Sequence, residues 1–474
     1  MNLFQLKAFL LQSGLAGEFV VFIGVILITL SLVFVPKHAY GLSIWIAIFS
    51  LLGGFYFSGY TPGEGSYASF VFWPSVAYIK RFFFISGSVA FFGFLEWRFA
   101  RNQALRPEPF IFLLLSIIGL CIMVQANSFF LLFLSAELFS ICAYGLAKPQ
   151  FSGENQAFSV VQYFGFGAIA SAIGLFGLSL LVGFQSSLSI ESEIAAYIPL
   201  IESIAALFFI SFLLFKIGSV PFHFWIPKVY ENAPTPFVGY ISVAPKVAGV
   251  FAILWLITHT NADLTTPLMI LVLLGVIIGN LAALQSERLK NLFAFSAISQ
   301  ASILLVPAIF YRQIPNSENQ LLIYAISYGL VNQAAFCAIQ YFENHLRDDL
   351  QINDLSGQFS IHPLPALLFI ALLFSLVGIP PTIGFSAKLL MFSTLLPGLA
   401  NWDSALGISV FSILVLSTLL SMAYFYKIPF QMIFKNKILE SVNLRSSLSS
   451  LFWLFLIGLF VFLAFFKPLA FFMI

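Results

Sequence analysis

The stretch Ser203-Ile204-Ala205-Ala206-Leu207-Phe208-Phe209-Ile210-Ser211-Phe212-Leu213-Leu214-Phe215-Lys216-Ile217-Gly218-Ser219-Val220-Pro221 decides how the chain is read. Its first part is apolar all round, as a bilayer helix is and as one face of a soluble helix is not. It then meets a lysine, a glycine and a proline in quick succession. Proline lacks the backbone donor and clashes with the preceding turn, so the helix must break there. A break at membrane depth survives only where it lines protein or a cavity. The same punctuation recurs at Gly378-Ile379-Pro380-Pro381-Thr382-Ile383-Gly384, and a lysine, Lys388, follows it.

Outward from these two breaks the composition agrees. The 474 residues are 60% hydrophobic and only 8% charged, with a mean hydropathy of +1.00. An ordinary soluble domain carries about 25% charged residues. The 21 bases and 19 acids nearly cancel to +2, so no basic nucleic-acid face is implied. Apolar runs with polar or Gly/Pro punctuation mark fourteen candidate spans (TM1–TM14), near 18–36, 41–59, 82–97, 108–126, 128–147, 158–184, 203–231, 236–258, 265–284, 290–310, 320–344, 363–394, 405–427 and 450–472. The expected fold is an all-α polytopic membrane protein with broken TM7 and TM12.

Loop charges orient the bundle. Lys7, Lys80, Arg81, Arg312 and Lys467 fall on the side of both termini. Lys37, Arg98, Arg101, Arg106, Lys148, Lys228, Arg288, Lys290, Arg347, Lys427, Lys435, Lys437 and Arg445 fall on the other. The excess of bases marks that second side as cytoplasm or matrix, with both termini outside. The amino-terminal segment has one base, Lys7, and no Arg-rich presequence, which points to insertion from the compartment of synthesis.

Four charges lie inside the spans: Glu137 in TM5, Lys216 beside the TM7 break, Lys246 in TM8 and Lys388 beyond the TM12 break. Each costs about 2.5–3.5 kcal/mol at the centre of a bilayer, so four unpaired charges represent on the order of 10 kcal/mol. Snorkelling of a long lysine stem is the bland alternative, and Lys388, nearest a helix end, is its best candidate. A buried Glu–Lys pair with further lysines makes a proton relay, because charge on one site alters the proton affinity of the next. The array is wrong for an organic solute, which needs a few oriented polar groups around a defined cavity. The prolines that set the breaks and kinks, Pro221, Pro245, Pro380 and Pro381, with His223 and Gln300, are candidate supporting residues.

Other residue types exclude rather than assign. Cys121, Cys142 and Cys337 sit in apolar runs without metal-ligand spacing and read as core residues. Five histidines are scattered, with no i, i+4 pair for a haem or zinc, and no phosphate-cradling glycine loop is present. No redox centre or metal is expected in this chain. TM4–TM8 and TM9–TM13 form two five-span blocks whose fourth span is broken and carries a lysine. Five is odd, so consecutive blocks insert with opposite orientation, the layout of inverted repeats. The expected organisation is three amino-terminal spans (1–105), a first block (106–258), a second (259–427), then a loop and last span (428–474).

The segment Lys216 to Pro236, reading K-I-G-S-V-P-F-H-F-W-I-P-K-V-Y-E-N-A-P-T-P, followed by Ser242-Val243-Ala244-Pro245-Lys246, resembles the antiporter-like membrane subunits of respiratory complex I. The likeness is strongest to the subunit 2 branch, subunit N in bacteria. Ala136-Glu137-Leu138, Asp354-Leu355-Ser356-Gly357 and Gly378 through Lys388 match as well, so the likeness spans roughly 108–395. It implies fourteen helices with two inverted five-helix repeats and a part in NADH:ubiquinone-driven proton pumping. It implies a coupled pair at Glu137 and Lys216, a bridging lysine at Lys246 and an exit lysine at Lys388. It also implies that FMN and iron–sulfur clusters reside in partner subunits, and that the partners are flanking antiporter-like and small membrane subunits, lipids and protons, with no nucleic acid. The implied location is a mitochondrial inner membrane, or the plasma membrane if the source is bacterial. Two positions depart from the family: Gln300 stands where a histidine is common, and Lys228 where an acid is frequent. The competing readings are a subunit of a non-redox cation/proton antiporter and a scaffold that pumps nothing.

Overall fold

The computed structural model describes residues 14–59, 65–67, 70–72, 74–101, 106–148, 154–185, 198–314, 317–402, 404–436 and 448–466. The chain runs through α1 (Ala16–Phe34), α2 (Ala39–Phe57), a short antiparallel hairpin of β1 (Gly65–Tyr67) and β2 (Phe70–Phe72), α3 (Pro74–Ala100), α4 (Glu108–Gln125), α5 (Phe129–Leu146), α6 (Glu154–Gln185) and α7 (Ile198–Ile217). Two short helices, α8 (Trp225–Asn232) and α9 (Thr235–Ile241), precede α10 (Ala244–His259), α11 (Thr265–Gln285), α12 (Leu289–Ile309) and α13 (Ser317–His345). A 3-10 turn and α14 (Gln358–Ile361) lead to α15 (Pro363–Val377), α16 (Ile383–Trp402), α17 (Ser404–Phe425), α18 (Lys427–Phe434) and α19 (Leu448–Phe466).

Among the described residues, twelve helical stretches are long and apolar enough to cross a membrane, with shorter apolar helices at Pro363–Val377, Ile383–Pro397 and Ser449–Phe465. With α15 and α16 counted as one broken span, these are the fourteen spans of the sequence. The chain is therefore an all-α polytopic membrane protein. Its centre is α9–α10, α12 and α13, almost wholly buried, while α1, α2, α6 and α17 turn most of their surface outward.

Apolar helices in lipid associate through close packing, which small residues permit. A Cβ on Gly119 of α4 would stand 3.0 Å from Ser135 O and from Phe139 N of α5. A Cβ on Gly279 of α11 would stand 2.9 Å from Phe295 O and 2.7 Å from Ser299 N of α12. The second set of three residues lies 160 positions after the first. The breaks keep the same interval. Gly218 ends α7 at φ +69° and Gly378 ends α15 at φ +91°, both in the left-handed region that glycine tolerates. Ser219 N bonds back to Leu214 O at 3.0 Å, and Ile379 N to Phe374 O at 3.0 Å, so each end closes in the same glycine-capped turn.

Two sequence expectations change. TM3 begins at Pro74, not residue 82, which takes Lys80 out of the outer loop and into α3, fully buried. TM8 was expected as one helix; it is two, α9 and α10, with Ser242 and Val243 between them. Pro245 sits in the first turn of α10, where its missing N–H leaves no bond unmade, and starts the new helix.

Candidate functional site

The α7 break, the α10 start and the α15–α16 break bring the four expected charges to buried or half-buried positions. Lys216, on the last turn of α7, donates to Glu137 Oε1 at 2.8 Å and to Ser140 Oγ, both on α5. Ser171 of α6 donates to the same carboxylate oxygen at 2.8 Å. The ammonium lies 4.4 Å from the centre of the Phe212 ring, which closes its apolar side. The Lys216 side chain is 2% exposed and that of Glu137 26%, so the acid is the partner nearer the outside of the bundle.

Lys246 is 1% exposed and donates to Ile217 O at 2.8 Å. Lys388 is also buried and donates to Leu376 O at 2.9 Å and Val377 O at 2.8 Å. Both sets of acceptors are carbonyls at the end of a broken helix, which have no intrahelical donor. A helix carboxyl end carries about half a negative charge, so an ammonium there is favoured. Val377 lies 160 positions after Ile217, so equivalent carbonyls are each held by a lysine. The lysines arrive differently. Lys246 comes from the next span, whereas Lys388 folds back from the second half of its own. Among the described residues neither makes an ion pair; only Lys216 has a carboxylate.

The return of Lys388 depends on glycine. Gly384 lies so close to α15 that a Cβ would stand 1.8 Å from Ser375 O, and its N–H donates to Ser375 Oγ at 3.2 Å. A cavity with room for about one water opens here, lined by Lys388, Gln300, Tyr324, Ser327, Tyr328 and Ser375 among others. Tyr324 OH donates to Gln300 Oε1. Gln300 thus shares a wall with Lys388, the position where sequence alone had left its part open. Pro221, Pro380 and Pro381 lie in the two breaks, while His223 is buried beside Phe224 and no described hydrogen bond joins it to the four charges.

Several buried charges escaped the sequence reading because they sit near helix ends. Lys80 pairs with Glu18 at 2.7 Å, and Gln125 donates to Glu18 at 2.7 Å, tying α1, α3 and α4 together. Lys290 of α12 pairs with Glu343 of α13 at 2.9 Å, and Thr235 of α9 donates to that carboxylate. Glu96 of α3 accepts from Asn344 of α13 and from Ser450 of α19. The scattered histidines also meet: the rings of His345 and His362 lie 5.0 Å apart, with Tyr341 OH 3.0 Å from His362 Nδ1. Burial, with His345 beside it, holds His362 below the ordinary histidine range. All three cysteines are buried and free.

Comparison with known proteins converges on one group. A profile of the family described as NADH:quinone oxidoreductase/Mrp antiporter, TM, matches residues 126–418. NADH-quinone oxidoreductase subunit N of Chlorobium chlorochromatii (strain CaD3) is 30% identical over 438 residues, covering 87% of this chain and 83% of its own. Among solved structures, a chain of respiratory complex I from Thermus thermophilus with bound aureothin superposes with a TM-score of 0.78 at 21% identity, over 95% of this chain and 97% of that one. A chain of the membrane-bound sulfane sulfur reductase, an archaeal respiratory membrane complex, gives 0.80 at 19% identity, over 97% and 95%.

Proposed function

Because the chain belongs to the NADH:quinone oxidoreductase/Mrp antiporter membrane family, we propose that its four buried charges form the proton relay of an antiporter-like subunit of respiratory complex I. The chain is a subunit of that enzyme complex, and other membrane subunits are its partners. Electron transfer from NADH to quinone, with its FMN and iron–sulfur clusters, belongs to partner subunits. What this chain supplies is a set of proton sites. The observation that carries the reading is the contrast among the lysines: one is paired with an acid, and two are held only by carbonyls at helix ends.

In the relay, Glu137 holds the Lys216 ammonium, and any change that draws the carboxylate away leaves that charge unbalanced in a low-dielectric site. The charge is then expelled toward Lys246, whose ammonium hangs on Ile217, the residue next to Lys216. Transfer from Lys246 to Lys388 passes the water-sized cavity at Gln300 and Tyr324. Release follows from Lys388, whose two carbonyl partners neutralise only part of its charge.

The 160-residue interval supports two structural repeats, 106–258 and 259–427, flanked by 1–105 and 428–474. Counted charges favour both termini on the outer face. The subunit N relative compared above is bacterial, which favours a plasma membrane over a mitochondrial inner membrane. Purification of the tagged chain from its native membrane is the test. Isolation with flavin- and iron–sulfur-bearing partners, with NADH-driven proton uptake into inverted vesicles, is the expected result. A stable assembly lacking those groups, which still exchanges cations for protons, would replace this reading by the non-redox antiporter.

A further inference from the structure

The helices α3 and α13 run parallel and meet along their whole length. From one end to the other, Ser75 donates to Glu318, Gln333 donates to Ser86 O at 2.7 Å, Gln340 to Gly93 O at 2.9 Å, and Asn344 to Glu96 at 3.2 Å. At the far end Arg101 donates to Asn344 Oδ1 at 3.0 Å and pairs with the exposed Asp348. None of these residues belongs to the four-charge relay.

Glu96 is the unusual member. It is 7% exposed and makes no ion pair among the described residues. Its oxygens instead accept from Gln340 at 3.5 Å, Asn344, Ser449 Oγ, Ser450 N at 2.8 Å and Ser450 Oγ at 2.7 Å. The carboxylate is thus held by side-chain and backbone donors of α13 and α19, with no cation bonded to it among the described residues. The charged residues near it in sequence are Arg98 on its own helix and Arg101 just beyond that helix's end, with Arg106, Glu108 and Tyr40 around Arg98. From α13 come the Cys337 thiol and, on its other face, Glu343, paired with Lys290 of α12, with His345 two residues further on. The described part of α19 carries no titratable residue.

From Glu96 toward mid-membrane, α13 bears a succession of buried polar side chains that winds from one of its faces to the next, several with unsatisfied atoms. Gln340, Gln333 and Cys337 line a second cavity with room for about one water, into which Gly239 and Pro236 also face. Gln333 Oε1, Asn332 Oδ1, Tyr328 OH and Ser327 Oγ are all buried without a protein partner. Asn332 donates to Ser242 Oγ, in the interruption of TM8 just before Lys246. Tyr328 and Ser327 line the Lys388 cavity. Buried polar groups of this kind are satisfied by ordered water. From Asn344 to Tyr328 the helix rises about 24 Å, most of the roughly 30 Å hydrocarbon core of a bilayer.

We propose that Glu96 collects protons at the mouth of a hydrated file along α13, which delivers them to the cavity shared by Gln300 and Lys388. In each cycle the carboxylate takes a proton from water at the Arg101–Asp348 end and becomes a carboxylic acid. It then gives that proton to the water held between Gln340 and Gln333, and the carboxylate is restored. The proposal rests on the relay reading above and adds a supply route to it.

The test uses the intact complex in inverted membrane vesicles, with complex content, NADH-driven acidification and its pH profile measured together. Glu96→Gln keeps the side-chain shape and removes the titrating site; coupled turnover is expected to fall about tenfold or more at unchanged content, as for loss of an acid–base group. Glu96→Asp restores it with a shifted pH profile, which a helix-capping role would not produce. Should Glu96→Gln fail to assemble through loss of its α19 bonds, Gln333→Leu closes the file while leaving those bonds intact, with the same loss expected. Normal turnover and pH profile in either assembled variant overturns the file. If Glu137→Gln is inactive while these variants are normal, only this inference falls; if all are normal, the relay falls with it.

Discussion

Replacing Glu137 by glutamine removes the one carboxylate paired with a relay lysine, 2.8 Å from Lys216 Nζ, while keeping an oxygen that accepts from Ser171. Breaking a buried ion pair by deleting one partner costs about 3–5 kcal/mol. The Glu137 side chain is 26% exposed, so the lower end, about 3 kcal/mol after allowance for screening, is the appropriate figure. Losing the partner leaves the Lys216 ammonium with only Ser140 Oγ and the Phe212 ring, an uncompensated charge in a buried site. The assay is the initial rate of NADH-driven acidification in inverted vesicles, normalised to flavin content, with NADH oxidation by an artificial acceptor as the check on assembly. The expected result is normal content and acceptor reduction with acidification nearly abolished. Glu137→Asp, shorter by one methylene, should fall between the two. Wild-type acidification and wild-type protons per NADH in Glu137→Gln would refute the pairing argument outright.

Lys388→Met keeps the apolar stem and deprives the Leu376 and Val377 carbonyls of their donor, at about 1–3 kcal/mol for each acceptor that water does not rescue. Content should drop modestly and vesicle acidification should cease, with Lys388→Arg retaining the assembly but not the rate. Gly384→Ala drives a Cβ to 1.8 Å from a backbone oxygen that cannot turn aside, and should destabilise the subunit by about 3 kcal/mol or more, read as loss of assembled complex and a lower inactivation temperature. Gly458→Ala is the control, because its Cβ would meet only the mobile end of Leu368 at 3.0 Å, and it should assemble normally.

The spans, the two breaks and the four central charges were legible because a lipid-facing helix has no amphipathic ambiguity. A lysine or proline in twenty apolar residues stands out against its surroundings. Lys80 was misplaced for the converse reason: Glu18 and Lys80 lie in helix ends, where a sequence cannot distinguish a residue facing water from one facing another helix. Glu96 and Glu343 were lost in the same way. The division of TM8 was hidden because Pro245 is equally at home inside a first turn and as a kink. The repeat was visible only as a layout. Its register depends on which glycines touch a backbone, Gly119 and Gly279, and which take a positive φ at a break, Gly218 and Gly378, and these are scattered among 31 glycines in all.

That register also exposes an asymmetry with mechanical consequences. Ile217 O and Val377 O occupy equivalent places, and each is held at 2.8 Å by an ammonium. In the first half the holder is Lys246, so its bond ties the end of α7 to α10 and ends one residue from Lys216. When the Lys246 side chain turns away, the carbonyl at the end of α7 loses its donor and the helix turn bearing Lys216 loses that tie. In the proposed relay, proton transfer between these two lysines is thereby coupled to the geometry of the Glu137 pair. In the second half the holder is Lys388, from the same broken span, and its departure frees only its own break. Lys388 is joined to the rest by the water-sized cavity at Gln300, not by a shared backbone group. A perturbation at Glu137 should therefore reach Lys246 through the protein frame, whereas Lys388 should respond only to the arrival of a proton.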